Sequence, residues 1–161
     1  MCGIIGITSS KEVSNRIINS LKKLEYRGYD SAGIATLNKG YINEVKCEGR
    51  VERLEENISK TNLQGNIGIG HVRWATHGKP SSVNAHPHSS DKVSVVHNGI
   101  IENSTILKKV LEKKGYQFKS QTDTEVIAHL VTDYLKKNNL KNSIIKVLKK
   151  LHGSFALGII F

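Results

Sequence analysis

The sequence has few of the residues, and none of the long patterns, that mark several large classes of protein. Only two of its 161 residues are cysteines, Cys2 and Cys47, which excludes a small scaffold held together by disulfides. No apolar run approaches the roughly 18–20 residues that a membrane-spanning helix needs. The N-terminus lacks a charged stretch followed by an apolar one, so no secretory signal is expected. We therefore predict a cytoplasmic protein that is not associated with a membrane.

Aromatic residues are also scarce, at 6%, whereas basic residues are abundant and give a formal net charge of +10. A charge of this size leaves open a module that binds nucleic acid or another anionic partner. The lysines, however, occur in pairs such as Lys108-Lys109 and Lys149-Lys150, on the polar faces of predicted helices. No aromatic residues are interleaved with them for base stacking. We predict that nucleic acid is not a partner and keep an anion-binding module as an alternative.

The pattern of apolar residues predicts one α+β domain, because strands and helices follow each other without regular βαβ alternation. A length of 161 residues suffices for one such domain, and 38% hydrophobic residues can form its core. The last apolar run ends at the final residue, Phe161. We therefore expect the chain to be the front part of a longer protein. Strands are predicted at 2–8, 32–37, 41–47, 67–73, 93–97 and 155–161, and helices at 13–24, 50–59, 104–114, 124–137 and 141–151.

Local signals predict where several of these elements begin and end. Ser10 is a candidate cap for the first helix, and Thr122 with Glu125 three residues later has the form of a capping box. Asn98-Gly99, between apolar residues, predicts a hairpin turn. The stretch 74–91 has no periodicity and holds both prolines and three of the seven histidines. A loop of this length in a compact domain is typical of a functional segment.

Cys2 is the first candidate for chemistry because it directly follows Met1. If the initiator methionine is removed, the thiol and a free α-amine belong to one residue, and the pKa of such an amine is near 7.7–8.0. A thiolate is the attacking species in nucleophilic catalysis, and an adjacent base can generate it. The ordinary alternative is a small apolar residue at the start of a strand, which is how we interpret Cys47.

Two further pairs have a catalytic and a structural interpretation. The Asn98 amide and the Gly99 N–H can donate two hydrogen bonds to a developing oxyanion, or they can simply form a turn. Arg73 and Asp123 can hold the carboxylate and the ammonium group of an amino acid, or each can be structural.

The histidines His71, His77, His86 and His88 raise the alternative of a zinc site. Their spacing matches no helical ligand pair, and no cysteine lies near them in sequence. The G-x-G at 68–70 is followed by H-V-R-W instead of a helix, so it is not a dinucleotide fingerprint. We predict neither a metal nor a cofactor.

Six motifs occur together in one order over essentially the whole chain. They are M-C-G-I-I-G at 1–6, Y-R-G-Y-D-S-A-G at 26–33, H-V-R-W-A-T-H-G at 71–78, N-A-H-P-H at 84–88, H-N-G-I-I-E-N at 97–103 and T-D-T-E-V at 122–126. Together they resemble the class II, or N-terminal nucleophile, glutamine amidotransferases. The resemblance implies the Ntn-hydrolase fold, a four-layer αββα sandwich, here incomplete at its C-terminus. It also implies that residues 1–161 are the N-terminal part of a type-2 glutaminase domain.

The resemblance implies a role for each matching residue. Cys2 is the nucleophile on the glutamine carboxamide, with its own α-amine as the base, and Asn98 and Gly99 form the oxyanion hole. The reaction passes through a glutamyl thioester, which releases ammonia and is then hydrolysed to glutamate.

The other implied residues bind the substrate. Arg73 holds the α-carboxylate of L-glutamine and Asp123 its α-ammonium group. Thr76 and His77 belong to the loop that covers glutamine, and Trp74 gates the path of ammonia. Three more residues lie at the site, namely Arg27 and Gly28 near the nucleophile and His86, whose role the resemblance leaves open.

R-G-Y-D-S-A-G and R-W-A-T-H-G match the members of the family that pass ammonia to fructose 6-phosphate, bound by a C-terminal sugar-phosphate isomerase part. That part is absent from this sequence, and a homodimer is compatible with the full-length protein. Two alternatives stay open. One is the glutaminase domain of another class II enzyme such as amidophosphoribosyltransferase, and the other is an inactive fragment.

Overall fold

The computed structural model describes residues 2–75 and 78–161, which form two antiparallel sheets and five α-helices. The α+β class predicted from the sequence is confirmed. In chain order the elements are β1 (Gly3–Thr8), α1 (Ser14–Leu24), a 3₁₀ turn (Glu25–Arg27), β2 (Ser31–Asn38), β3 (Tyr41–Glu48), α2 (Val51–Thr61), β4 (Ile67–Arg73), β5 (His88–Ser90), β6 (Val93–Ile101), α3 (Ser104–Lys113), α4 (Glu125–Leu135), α5 (Leu140–Leu148) and β7 (Gly153–Ile160).

The helices cover the outer faces of the sheets, and the sheets pack on each other, which gives the order helix, sheet, sheet, helix. The first sheet has the strand order β1-β4-β2-β3 and the second β5-β6-β7. Apolar residues at helical spacing bury one face of each covering helix. On the first sheet these include Ile17 and Leu21 of α1 and Leu54 of α2, and on the second Leu111 of α3, Ile127 of α4 and Val147 of α5. Between the sheets lie Ala35, Ile69, Val96 and Ile160.

Three local predictions are wrong, each because tertiary contacts replace a local one. Asn98 and Gly99 lie inside the continuous strand β6, opposite Ala156 and Phe155 of β7, so they form no hairpin turn. Helix α1 begins after Val13, whose N–H donates to the carbonyl of Gly65, and not after Ser10.

The capping box at the start of α4 is the third error. Glu125 does not reach back to Thr122; its carboxylate accepts the N–H groups of Lys119 and Ser120 at 2.9 and 2.7 Å. Burial alone would raise the pKa of Glu125, but hydrogen bonds, including those from His129, Lys119 and Ser120, lower it to about 2. The carboxylate thus fastens the preceding loop to α4 and does not cap the helix.

One end of the first sheet, where β1 starts, brings together residues that are far apart in sequence. Because β1 and β2 are both antiparallel to β4, the start of β1, the end of β4 and the start of β2 meet there. In the register, Gly3 lies opposite Val72 and Ser31 opposite Arg73. Cys2 and Asp30, one residue before each of these strand starts, therefore lie beside the end of β4.

Candidate active site

A small cavity of about 20 Å³ opens at this end of the first sheet. Residues from five segments of the chain line it, including six that the sequence predicts for the site. The lining residues are Cys2, Arg73, Trp74, His86, His97, Gly99, Thr122, Asp123 and Thr124. A nucleophile, a cation and a carboxylate thus face one space, although they come from three separate motifs.

The Cys2 thiol is half-buried and contacts the backbone of Trp74 on two sides. The thiol donates to the Trp74 carbonyl at 3.6 Å, and the Trp74 N–H donates to Sγ at 3.4 Å. Burial raises the pKa of the thiol, and the Trp74 hydrogen bond opposes that rise. A thiol with a raised pKa is protonated near neutral pH, so it needs a base close by to become a nucleophile.

Arg27 and Gly28 support the segment on either side of the thiol. The Arg27 Nε–H donates to the Cys2 carbonyl at 2.9 Å. A Cβ at Gly28 would lie 2.5 Å from the carbonyl carbon and oxygen of Arg73 and 2.6 Å from the Trp74 nitrogen. Position 28 therefore has to be glycine for the 73–74 peptide to approach, and that peptide leads into the backbone that contacts the thiol.

Arg73 is buried, at 3% exposure, at the end of β4. One terminal nitrogen donates to the Gly78 carbonyl at 3.1 Å, and the other lies 3.9 Å from the Asp30 carboxylate. Asp30 also accepts the Ala75 N–H and, at 2.9 Å, the Ser31 hydroxyl. The Asp30 carboxylate thus holds both the guanidinium group and the chain that follows it.

Asp123 approaches the cavity from the segment that precedes α4. Its Oδ2 accepts the Ile101 N–H at 2.8 Å, and its Oδ1 lies 3.9 Å from His97 Nδ1. The carboxylate is therefore fixed to the end of β6 on one side. On the other side it faces an imidazole.

Gly99 brings the β6 backbone to the cavity in a conformation that favours glycine. Its φ is +143°, and a Cβ there would lie 2.1 Å from the Ser154 carbonyl oxygen. Asn98 precedes it in β6, on the same strand face as Val96, which packs between the sheets. Asn98 itself is half-buried and does not line the cavity.

Four imidazoles are buried in and beside the cavity, and burial lowers the pKa of each. The pKa of His71 falls to about 3 and that of His88 to about 3, while those of His86 and His97 are also lowered. The rings of His71 and His86 stack with centroids 4.0 Å apart. Within residues 2–75 and 78–161, no group of three or more His, Cys, Asp or Glu side chains could hold a metal ion.

Several residues of the site were not predicted from the sequence. Asp30 lies inside the R-G-Y-D-S-A-G motif, which was the available signal. His97 and Thr124 also lie inside the six motifs, but nothing in the sequence indicated that their side chains meet. The predicted residues Thr76 and His77 lie outside the described residues. No helix in the described part of the chain is long and apolar enough to cross a membrane.

Comparisons with known proteins converge on one family. A protein-family model described as "Glutamine amidotransferase domain" matches residues 71–161. Two similar curated proteins are both named glutamine–fructose-6-phosphate aminotransferase [isomerizing]. The one from Clostridium acetobutylicum is 57% identical over 99% of this chain and 26% of its own length. The one from Mesorhizobium japonicum is 53% identical over 100% of this chain and 27% of its own.

Solved structures agree in fold. A glutamine phosphoribosylpyrophosphate amidotransferase from B. subtilis, complexed with ADP and GMP, superposes with a TM-score of 0.85. It is 30% identical and covers 99% of this chain and 35% of its own. The likeness confirms the predicted Ntn-hydrolase fold. The chain spans about a quarter of the length of the two curated aminotransferases.

Proposed function

Because the chain belongs to the class II glutamine amidotransferase family, we propose that it hydrolyses L-glutamine at the cavity beside Cys2. The single observation that carries this proposal is the shared cavity, where the Cys2 thiol, the Arg73 guanidinium and the Asp123 carboxylate face one space. Two charges of opposite sign match the α-carboxylate and the α-ammonium group of an amino acid. The thiol in the same cavity is the nucleophile that a carboxamide requires.

The proposed steps use Cys2 and Gly99, which line this cavity, and Asn98, which precedes Gly99 in β6. Once Met1 is removed, the α-amine of Cys2 accepts the thiol proton, and the thiolate attacks the carboxamide carbon. Asn98 and the N–H of Gly99 donate to the oxyanion that forms. The amine then returns the proton to the leaving ammonia, and water hydrolyses the glutamyl thioester to glutamate. Thr76, His77 and Trp74 keep their proposed roles in covering glutamine and gating ammonia, and His86 its place at the site.

We further propose that residues 1–161 are the N-terminal part of a glutaminase domain that supplies ammonia to make glucosamine 6-phosphate from fructose 6-phosphate. The support is the 57% identity to an aminotransferase named for that sugar phosphate, against 30% to the phosphoribosylpyrophosphate enzyme. A C-terminal isomerase part would bind the sugar, and the full-length protein would be a homodimer. The cytoplasmic location stays a prediction.

Mass spectrometry and a product assay together test the glutaminase proposal. The intact mass reports whether Met1 is removed. Incubation with 6-diazo-5-oxo-norleucine should then increase the intact mass by one reagent molecule minus one molecule of dinitrogen. The added group should be on Cys2. Glutamate and ammonia should appear in equal amounts from glutamine.

The control is the same chain with an added N-terminal residue that the methionine aminopeptidase cannot remove. Met1 is then retained, and the nitrogen of Cys2 stays in a peptide bond. It keeps every side chain of the cavity and lacks only the free amine of Cys2. Equal glutamate release by both forms would contradict the proposed base. No release and no labelling by the processed, folded form would contradict the glutaminase itself.

A further inference from the structure

The Thr124 hydroxyl occupies an unusual position for a residue at the start of a helix. Thr124 is fully buried at the N-cap of α4, yet its side chain makes no capping bond. Its Oγ1 lies 2.7 Å from His86 Nε2, 2.8 Å from His97 Nδ1 and 3.5 Å from Asp123 Oδ1. One hydroxyl thus joins the loop that carries His86, the strand that carries His97 and the carboxylate of the cavity.

The hydrogens at this hydroxyl can be assigned by counting donors and acceptors. A threonine hydroxyl donates one hydrogen bond and accepts two. All three contacts are satisfied if both imidazoles donate to Oγ1 and the hydroxyl donates to the ionised carboxylate of Asp123. The ring nitrogens left without hydrogen are then His86 Nδ1 and His97 Nε2. These two atoms are buried and have no hydrogen-bond partner among the described residues.

His71 shows the same pattern through a different hydrogen bond. Its Nε2 lies 2.9 Å from the His97 carbonyl, which can only accept, so Nε2 carries the hydrogen. The ring nitrogen without a hydrogen is therefore Nδ1, which is again buried and has no hydrogen-bond partner among the described residues. In all three rings the unpartnered nitrogen is therefore an acceptor. Buried N–H groups without partners are rarer than under-satisfied acceptors, so this arrangement is the more stable one.

We propose that Thr124 is a positioning residue, whose hydroxyl accepts from His86 and His97 and aims the Asp123 carboxylate at the α-ammonium group of glutamine. The inference rests on the proposed function for its substrate and on the contacts above for its geometry. Asp123 Oδ2 is already held by the Ile101 N–H. Thr124 contacts Oδ1 at 3.5 Å, so both carboxylate oxygens have a partner that restrains rotation.

Two variants of nearly equal shape separate the hydroxyl from the methyl group. Thr124→Val keeps the shape and removes the hydroxyl, whereas Thr124→Ser keeps the hydroxyl. We expect Thr124→Val to raise the KM for glutamine by about tenfold, the scale on which a buried group loses a partner. Its kcat should change by less than about threefold, and Thr124→Ser should stay within about twofold of wild type in both constants. A purely structural role would instead lower the Tm and the active fraction and leave KM unchanged.

A double variant tests whether the effect passes through Asp123. In the Asp123→Asn background, adding Thr124→Val should change KM by less than about twofold, because the carboxylate that Thr124 aims is gone. Independent, multiplying effects would overturn the positioning role.

Nitrogen-15 NMR of the imidazoles tests the geometry without any activity. His86 should carry its hydrogen on Nε2 and His97 on Nδ1, and both signals should move in Thr124→Val but not in Thr124→Ser. The opposite tautomers would overturn the inference. If these tautomers are found but wild type releases no glutamate, the hydroxyl bridge stands and the proposed function fails.

Discussion

The helix-covered face of the first sheet and the Cys2 end of the space between the sheets both hold buried side chains, but these side chains differ in chemistry. Under α1 and α2 the buried cluster consists of aliphatic residues and Cys47. At the Cys2 end, the buried side chains include Arg73, His86 and His97. Aliphatic packing needs only shape and water exclusion, whereas each buried polar group needs a partner. The second region is costly to build, and such regions mark functional sites.

The two cysteines allow this comparison to be tested most directly, because one lies in each region. Cys2→Ser should abolish glutamate release, since a hydroxyl replaces the only thiol beside the proposed α-amine base. Cys47→Ser should leave kcat and KM within about twofold, although it puts a hydroxyl into an apolar cluster and should lower the Tm. Steady-state rates and thermal unfolding of both variants give the answer. Equal loss of activity in both would erase the distinction between the regions.

Asn98 tests whether the site needs a donor from β6. Because Asn98 lies within a strand and not in a turn, Ala and Asp at this position place no demand on turn geometry. Removing one oxyanion donor costs roughly 10²–10³ in rate, so Asn98→Ala should lower kcat by about that factor. Asn98→Asp should lower it further, because a negative charge then faces a developing negative charge.

The comparison of kcat with Tm separates a catalytic role of Asn98 from a purely structural one. Both variants should retain a Tm within a few degrees of wild type. Near-normal turnover of the Asp variant would mean that the oxyanion donors lie elsewhere.

The opposite charges of the cavity should govern substrate binding. Arg73→Lys keeps the charge but loses the planar pair of donors that matches a carboxylate, so the KM for glutamine should rise by about tenfold to a hundredfold. Asp123→Asn should raise KM to a similar extent through the α-ammonium group. Initial rates over a range of glutamine concentrations measure both. An unchanged KM in both variants would assign these residues to the fold alone.

Much of the fold could be predicted from the sequence because its signals are local. The period of Ile17 and Leu21 predicts α1, and the alternating run at 67–73 predicts β4, and both are present. Boundaries failed where a distant segment supplied the partner. Ser10 does not cap α1 because the Gly65 carbonyl accepts the Val13 N–H from across the fold.

Residue types in the sequence also predicted the chemistry of the site, but they did not predict which residues meet there. Arg73 and Asp123 were paired by charge alone, and the cavity brings them together. Asn98-Gly99 has the composition of a turn, yet β7 pairs with it and makes it a strand. Thr124 could not be found from the sequence, because its two imidazole partners come from segments 38 and 27 residues away.

The smallest expected effect concerns stability in acid, where the two regions should again differ. His88 lies 2.9 Å from the hydroxyl of Thr122, which lines the Cys2 cavity, and burial lowers the pKa of His88 to about 3. An unfolded histidine has a pKa near 6.5, so between about pH 6.5 and 3 the unfolded chain binds a proton that the folded chain does not. Folding stability attributable to His88 is therefore complete above pH 6.5 and is lost as the pH falls, by at most about 1.4 kcal/mol per pH unit.

His88→Gln should reduce this slope, because glutamine can still reach the Thr122 hydroxyl but does not titrate. Urea unfolding at pH 7, 6 and 5 measures it, and this range avoids Glu125, whose carboxyl group has its pKa lowered to about 2. The matched control is His152→Gln, which removes an exposed imidazole before β7. In His88→Gln the dependence of the unfolding free energy on pH should correspond to the uptake of up to one proton fewer than in wild type. The free energy of unfolding at pH 7 should change little. An unchanged slope would mean that His88 takes up its proton in the folded state. The buried surroundings of His88 would then accept a charged imidazole.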